Sequence, residues 1–264
     1  PAPSPAEDAM HLEIAVVALP GALIAAEEGA NRVELCANLE VGGLTPSTAL
    51  LESCRGPLAG TTEIHPIIRC RPGNFVYSGE ELRTMAEQIA SCAARGADGV
   101  VFGALTPDGW IDRAGTRTLL DAARWANPDM EITFHRAIDQ CRDPMEAIDL
   151  LAGLGFTRVL TSGAEDSVGA GLDLLARLVQ RAAGRLQVMA GGGLVVEDIP
   201  ALKAAGLDAV HLSARRKPAP VPAGAAAASP RVRTSTGTMP MVLTPSPETA
   251  TDRDLVKEAR AASR

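Results

Sequence analysis

The chain has 264 residues and a formal net charge of −7, and 46% of its residues are hydrophobic but only 3% are aromatic. This composition suits one large or two small globular domains with a core of Ala, Val, Leu and Ile. The negative charge argues against a nucleic-acid or anionic-membrane partner, no apolar run approaches the roughly 18 residues of a membrane span, and no signal segment is recognised at the start.

The predicted elements begin after residues 1–11, a proline-bearing stretch that is typical of a disordered tail. From residue 12, short β-rich runs alternate with Ala- and Leu-rich runs of helical period. The predicted strands are 12–16, 32–36, 63–69, 99–103, 131–135, 158–162, 186–190 and 208–213. The predicted helices lie near 20–29, 47–55, 79–95, 112–125, 143–154, 168–182 and 196–205.

This alternation predicts a single-domain α/β fold, a closed (β/α)8 TIM barrel over residues 12–216. A helix–Gly–apolar–polar–x–Val motif recurs at four helix–strand junctions, which indicates a repeated β-α unit. The motif predicts αL C-caps at Gly29, Gly96, Gly155 and Gly206. N-caps are predicted at Ser78, Asp112 and Asp143. An open doubly wound sheet is the alternative, but no Gly-x-Gly-x-x-Gly follows the first strand.

The amino-acid composition changes after Arg216. Residues 217–250 are rich in Pro, Ala, Ser and Thr and form a predicted low-complexity loop between strand eight and helix eight, which lies in 251–264. A lid over the site and a disordered surface loop are both compatible with this composition.

Candidate catalytic residues lie where strands end, because barrel active sites form at the carboxyl ends of the strands. His135 closes the run Glu131–Ala137 next to a fixed cation, so we expect it to act as a general acid or base. Glu34 and Glu13 stand inside apolar runs and need a partner or a chemical role. Polar strand ends that meet water, or a buried ion pair, remain the structural alternatives.

Arginines and glycines at the carboxyl ends of the predicted strands indicate an anion-binding site at this end of the barrel, the anion-binding mouth. Two strand-three arginines share parity, and three successive glycines follow strand seven, next to strand eight, where barrels often bind phosphate. The glycines alone are equally consistent with a tight turn. The predicted anion-binding residues are Arg69, Arg71, Arg136, Ser162, Gly191, Gly192, Gly193, His211 and Ser213.

Metal and cofactor signals are weak. The five cysteines lie far apart, which indicates reduced thiols in a cytoplasmic protein instead of a disulfide framework. His65, His135, His211 and Cys36 are the residues from which a copper or zinc site would be built, but no Cys-x-x-Cys or His-x-x-x-His spacing occurs. No nucleotide cofactor is predicted.

Several motifs together closely resemble the CutC family. They include Arg32-Val-Glu-Leu-Cys-Ala-Asn-Leu, Gly42-Gly-Leu-Thr-Pro-Ser, Thr133-Phe-His-Arg-Ala, Leu160-Thr-Ser-Gly and Gly191-Gly-Gly, in order between residue 12 and about 216. The resemblance implies a (β/α)8 barrel, a cytoplasmic homo-oligomer and a role in copper homeostasis with Cu(I) binding. The motif positions that carry over are Glu13, Glu34, Cys36, Asn38, Arg69, Arg71, His135, Arg136, Ser162, His211 and Ser213.

One departure from the family pattern bears on the metal. Ala15 stands where a second cysteine often occurs, which leaves Cys36 as the candidate metal ligand without a thiolate partner. Two functions are therefore expected as alternatives. The first is a Cu(I)-binding protein of copper homeostasis, and the second is a TIM-barrel enzyme that acts on a small anionic or phosphorylated metabolite by acid/base chemistry.

Overall fold

Eight short buried strands alternate with eight helices in the computed structural model, which describes residues 9–215 and 250–264. The strands are β1 His11–Val16, β2 Arg32–Leu35, β3 Glu63–Pro66, β4 Gly99–Phe102, β5 Glu131–Phe134, β6 Arg158–Thr161, β7 Gln187–Gly191 and β8 Ala209–Leu212. The helices are α1 Leu19–Glu27, α2 Thr48–Leu58, α3 Gly79–Ala93, α4 Arg113–Ala126, α5 Pro144–Leu154, α6 Leu172–Ala182, α7 Ile199–Ala204 and α8 Arg253–Ser263.

The strands are all parallel and follow the order β3-β2-β1-β8-β7-β6-β5-β4. The two edge strands meet at a seam, where the N–H of Ile68 donates to Val101 O at 2.7 Å and the N–H of Asp98 donates to Ile64 O at 3.0 Å. These bonds join β3 to β4, so the sheet curls into a nearly closed barrel. The predicted (β/α)8 fold is confirmed.

The main hydrophobic core lies between the sheet and the helices. Outward-facing strand residues such as Leu12, Val33 and Val100 are fully buried against the helix ring. The inward-facing positions of the strands are partly ionic, and two smaller apolar clusters fill the rest of the barrel. They consist of Ala15, Cys36, Ile67 and Val101, and of Leu160, Met189 and Ala209.

Helix termini follow their local sequence signals. The hydroxyl of Ser78 accepts from the N–H of Glu81 in a capping box, and Asp112 and Asp143 cap α4 and α5. All four predicted C-cap glycines have φ between 80° and 84°. Helix α6 starts at Leu172 and not near 168. Its N-cap, Gly171, packs closely on Gly163, where a Cβ would lie 2.4 Å from Gly171 O.

Strand β3 is shorter than predicted. It ends at Pro66, although the N–H of Ile67 still donates to Leu35 O at 3.0 Å and Ile67 forms an isolated bridge to Val101. Proline has no N–H to donate to a ladder, which explains the early end. Arg69 and Arg71 therefore lie in irregular backbone beyond the strand.

Two predicted segments fall mostly outside the described residues. The predicted tail, 1–11, overlaps them only at 9–11, where β1 already begins at His11, and the predicted loop, 217–250, overlaps them only at 250. Among the described residues, no helix has the length and apolarity that crossing a bilayer requires.

Candidate functional site

The carboxyl ends of the strands surround a cavity of about 940 Å³. Its floor is made of side chains that are almost fully buried, and its rim comes from the loops that follow β2, β6 and β7. The predicted site residues that line the cavity are Glu34, Arg69, His135, Arg136, Gly192, Gly193, His211 and Ser213. Glu13, Arg71, Ser162, Gly191 and Cys36 do not line it.

A carboxylate–imidazole–carboxyl chain crosses the floor of the cavity. His211 Nδ1 lies 2.6 Å from Glu13 Oε1, and His211 Nε2 faces Glu34 Oε2 at 3.9 Å. The parallel register of β8, β1 and β2 creates this arrangement, since it pairs Glu13 with His211 and Ala15 with Glu34. Glu34 has no hydrogen-bond partner within residues 9–215 and 250–264, so its carboxyl group is left for a ligand.

The three groups differ in their protonation behaviour. Burial would raise the pKa of Glu13, but the hydrogen bond from His211 and the charge of Arg32 together hold that pKa well below its usual value. Burial raises the pKa of Glu34 to about 7, an effect that His211 opposes and Glu13 reinforces. Burial works against the imidazolium of His211, yet the bond to Glu13 and the charges of Glu34 and Glu13 raise its pKa. Glu34 is therefore the group that is poised to exchange a proton near neutral pH.

His135 has a different character from the one predicted. Its Nδ1 accepts from the N–H of Ala137 at 3.2 Å, so the neutral ring carries its proton on Nε2. Burial, with a further contribution from Arg69, lowers the pKa of His135 to about 3. The ring is thus neutral at physiological pH and offers a hydrogen-bond donor, which suits it poorly to the role of a general base.

Arg69 is fixed by the loops at the mouth. Its terminal nitrogens donate to Val41 O at 2.7 Å, Gly43 O at 3.1 Å and Gly73 O at 2.7 Å. The guanidinium lies 5.1 Å from the ring centroid of Phe75, which also stacks on His135 at 4.7 Å. Arg69 therefore supplies positive charge to the cavity wall and ties together the loops after β2 and β3.

Arg71 does not join the predicted anion-binding mouth. Its guanidinium forms an ion pair with Glu81 and donates to Val76 O and Asn74 O. It also lies 5.0 Å from the ring centroid of Tyr77. The expected shared parity of the two arginines fails because the strand has already ended at Pro66, and Arg71 organises the loop that leads into α3.

Arg136 is positioned by a carboxylate that sequence reasoning did not include among the site residues. Asp139 accepts from Arg136 Nε at 2.8 Å and from the N–H of Ser162 at 3.1 Å. Arg136 Nη2 also donates to Ser162 Oγ at 3.0 Å. The guanidinium lies against Gly192, where a Cβ would come within 2.6 Å of its Cζ, so only glycine leaves room for it. The spacing Arg136-x-x-Asp139 at the start of a helical turn was the available signal.

Cys36 does not fit the Cu(I) site that the family resemblance implies. Its thiol is fully buried among Ala15, Ile67 and Val101 and donates to Val16 O at 3.5 Å. Burial raises its pKa well above the usual value, whereas metal ligation requires the thiolate. Among the described residues, no second cysteine, histidine or carboxylate joins Cys36 in a group of three or more ligands.

A different group of possible ligands lies inside the opposite end of the barrel. Ligand atoms of Glu63, His65 and Glu131 lie within 4.8 Å of one another. The carboxylates are already held by arginines, because Arg32 Nε lies 3.1 Å from Glu63 Oε2 and Arg158 Nη2 lies 2.8 Å from Glu131 Oε2. Two guanidinium groups at this distance repel a cation, so the group forms an ionic plug and fits a metal poorly.

A family model and relatives by sequence give the same family. A family model described as the CutC family matches residues 10–216. A CutC family protein of Chromobacterium violaceum is 46% identical over 209 residues, which are 79% of this chain and 82% of that protein. The copper homeostasis protein cutC homolog of Homo sapiens is 40% identical over 205 residues, 77% of this chain and 73% of that protein.

Solved structures agree with this assignment. A CutC protein of Streptococcus agalactiae superposes with a TM-score of 0.72 at 31% identity, and the match covers 77% of this chain and 98% of that chain. A thiamine phosphate pyrophosphorylase of Pyrococcus furiosus matches with a TM-score of 0.57 at 14% identity over 96% of this chain and 95% of that chain, a likeness of fold alone. From its motifs, its barrel and these matches, the chain belongs to the CutC family.

Proposed function

We propose that this protein is an enzyme that acts on a small organic anion by acid/base chemistry in the cavity at the carboxyl ends of the strands. The observation that carries the proposal is the chain Glu13–His211–Glu34. A buried carboxyl group with a pKa near 7 faces the cavity, and an imidazole anchored by a second carboxylate faces it at 3.9 Å. A purely structural ion pair would hold Glu34 by hydrogen bonds, but among the described residues its carboxyl group has only the 3.9 Å contact with His211 and faces a cavity.

The roles follow from the protonation states. As a carboxylate, Glu34 accepts a proton from a C–H or O–H of the substrate and becomes the neutral acid. It then acts as the acid and donates this proton to the reaction intermediate, which gives the product. Glu13 stays ionised and holds the Nδ1–H of His211, so that Nε2 is directed towards Glu34. Arg136 and Arg69 supply the positive charge that attracts the anion.

The proposal predicts that anion affinity depends on the charge of Glu34. Below pH 7 the neutral carboxyl group tolerates a nearby anion, and above pH 7 the carboxylate repels it. The dissociation constant of acetate or inorganic phosphate, measured by calorimetry at constant ionic strength, should therefore rise between pH 6 and pH 8. In Glu34→Gln the acetate affinity should change much less over this range, and phosphate, which itself gains negative charge as pH rises, is compared between the two chains at each pH.

A comparison of two arginine variants tests whether the anions bind next to Arg136. Arg136→Gln should weaken both anions at least tenfold, whereas Arg83→Gln, which removes an exposed cation on α3 with 69% side-chain exposure, should not change them. A pH-independent affinity in the wild-type chain, or equal weakening in the two variants, would contradict the proposal.

Copper binding is the second candidate, and the name of the human relative favours it. Cys36 would be its thiol, but the thiol's burial and raised pKa count against a tight site. Anaerobic titration with Cu(I) decides the matter. One strongly bound equivalent per chain that disappears in Cys36→Ser would establish copper binding, and binding that is the same in both chains would place copper elsewhere.

Two broader expectations stay predictions. The family resemblance implied a cytoplasmic location and a homo-oligomer. Light scattering on the purified full chain measures the second directly, and fractionation of the producing cells measures the first.

A further inference from the structure

We propose that the ligand of this cavity is a monoanionic organic acid with an apolar body, not a sugar phosphate or a dianion. The inference rests on the proposed function, since it names the substrate class of the same site. It is drawn from how charge and apolar surface are distributed between the floor and the rim of the cavity.

Apolar side chains form one part of the wall above the ionic floor. Ile67 and Leu160 form part of the floor, and Leu39, Leu194 and Leu212 continue the wall outward. At the rim two valines from opposite loops are unusually exposed, Val41 at 41% and Val195 at 53%. They are two of the four large hydrophobic side chains that are exposed among the described residues. Two of these four side chains thus border a single cavity, which is a sign of a binding site for an apolar group.

The outer part of the cavity also carries acidic groups. The loops after β6 and β7 and helix α8 contribute four exposed carboxylates to the lining, namely Glu165, Asp166, Glu197 and Glu258. A ligand whose first anionic group lies near Arg136, which is itself 44% exposed, would bring a second anionic group close to these carboxylates. Arg215 is a further cation of the lining, but the four carboxylates outnumber it, so repulsion selects against dicarboxylates and bisphosphates.

The size of the cavity indicates a ligand that is larger than its anionic group alone. A volume of about 940 Å³ lies at the upper end of the range for sites that enclose drug-sized molecules, and far exceeds what a lone phosphate or acetate fills. A sugar would need many hydrogen-bond partners along its hydroxyl groups. The leucine and valine part of the wall offers none, so an apolar body matches that part of the lining better than a sugar does.

A homologous series of fatty acids tests the inference. Dissociation constants of butanoate, hexanoate and octanoate for the full chain are measured by calorimetry at pH 6 and low ionic strength, below the micellar range. Burial of each CH₂ contributes about 0.8 kcal/mol, so affinity should increase roughly fifteenfold for every two carbons added. Octanedioate, which has the length of octanoate and one more carboxylate, should bind at least tenfold more weakly than octanoate.

Two sets of variants test the contacts of the apolar chain and of the carboxylate separately. Val41→Asn combined with Val195→Asn should flatten the dependence on chain length but leave butanoate affinity within about twofold. Arg136→Gln should weaken all three acids by the same factor and preserve their ratios. Trp125→Ser, at a 93% exposed side chain that does not line the cavity, serves as the control and should change nothing.

The outcomes also distinguish this inference from the proposed function. Affinity that does not depend on chain length, or octanedioate binding as tightly as octanoate, overturns the apolar-body inference, even where acetate and phosphate bind with the expected dependence on Glu34. If no anion binds at any pH, the proposed function fails and this inference fails with it.

Discussion

The protonation of one buried carboxyl group links the candidate site to the stability of the protein. Burial raises the pKa of Glu34 to about 7, above the value of 4.5 that it has when solvated. The neutral form is thus favoured in the folded state, and its stabilising contribution is lost as pH rises from 4.5 towards 7. Each pKa unit corresponds to about 1.4 kcal/mol, so the loss approaches roughly 3 kcal/mol.

We predict that Glu34→Gln removes this loss. Relative to the wild-type chain, the variant should gain unfolding free energy between pH 5 and pH 8, by up to about 3 kcal/mol, because glutamine cannot ionise. Urea denaturation at several pH values measures the difference. Glu52→Gln, at a 60% exposed position, is the control and should run parallel to the wild type. A constant difference between Glu34→Gln and the wild type across this range would show that Glu34 does not titrate there.

His135 is predicted to stay neutral where His211 does not. Since burial and Arg69 lower the pKa of His135 to about 3, and the bond to Glu13 contributes to a raised pKa for His211, nitrogen NMR of the two imidazoles should differ at pH 6. His135 should show a proton on Nε2 and a bare Nδ1, and His211 should be protonated on both nitrogens. Protonation of His135 above pH 5 would contradict its assignment as a neutral donor.

Strand alternation was sufficient to find part of this site and not the rest. Glu13 and Glu34 attracted attention as carboxylates in apolar runs, and both are buried in the barrel interior. Arg32, which contacts Glu13, lies in the same run as Glu34, but a sequence does not show which arginine reaches which carboxylate across neighbouring strands. Asp139 was missed as a site residue although its ion pair with Arg136 is local, because its other partners, Thr161 and Ser162, are 22 and 23 positions away.

Elements whose signals are local were predicted well. The Ser78 capping box and the C-cap glycines depend only on residues within one turn, so spacing predicts them. The end of β3 depends on pairing with β2 and β4, and the apolar run through Ile68 concealed the effect of Pro66. The prediction assumed that the alternation of strand side chains continued past Pro66, and it therefore gave a wrong position for Arg71.

The seam between β3 and β4 depends on one small residue. A Cβ at Gly99 would lie 2.4 to 2.6 Å from three ring atoms of His65, so alanine there forces a buried ring to move. We predict that Gly99→Ala lowers the unfolding free energy by about 1 to 3 kcal/mol, as overpacking typically does. Thermal and urea unfolding measure the change.

Gly56 in α2 provides the matched control. A Cβ there meets nothing within 4 Å, and alanine is preferred to glycine inside a helix. Gly56→Ala should therefore leave stability unchanged or raise it by roughly 0.5 to 1 kcal/mol. If Gly99→Ala behaved like Gly56→Ala, the ring of His65 would not be confined by the seam.

The whole molecule is asymmetric along the barrel axis. At the amino ends of the strands, Arg32 and Arg158 are each 1% exposed and fill the interior with ion pairs. At the carboxyl ends the charged groups line an open cavity, and Glu34 makes no hydrogen bond to any of the described residues. The same strands thus supply an ionic plug at one end and a candidate reactive site at the other, and Glu13 contacts residues of both.

Arg32 connects the two ends, and its loss should affect both. It lies 3.2 Å from Glu13, 3.1 Å from Glu63 and 3.5 Å from Glu131, so Arg32→Met leaves three carboxylates without their shared cation. Removing one partner of a buried ion pair typically costs about 3 to 5 kcal/mol, and we expect a loss of this size at pH 7. Arg32 also helps to hold the pKa of Glu13 low, so the loss should shrink in acid, where the carboxylates of the variant take up protons.

Urea unfolding of Arg32→Met and of the control Arg83→Met, at pH 7 and pH 4.5, measures this effect. The control should stay within about 0.5 kcal/mol of the wild type at both pH values, as exposed substitutions do. A loss below about 1 kcal/mol for Arg32→Met at pH 7, or a loss that grows in acid, would mean that the ionic plug does not stabilise the barrel. Glu13 would then owe its charged state mainly to His211, and the coupling through Arg32 between the two ends of the barrel would disappear.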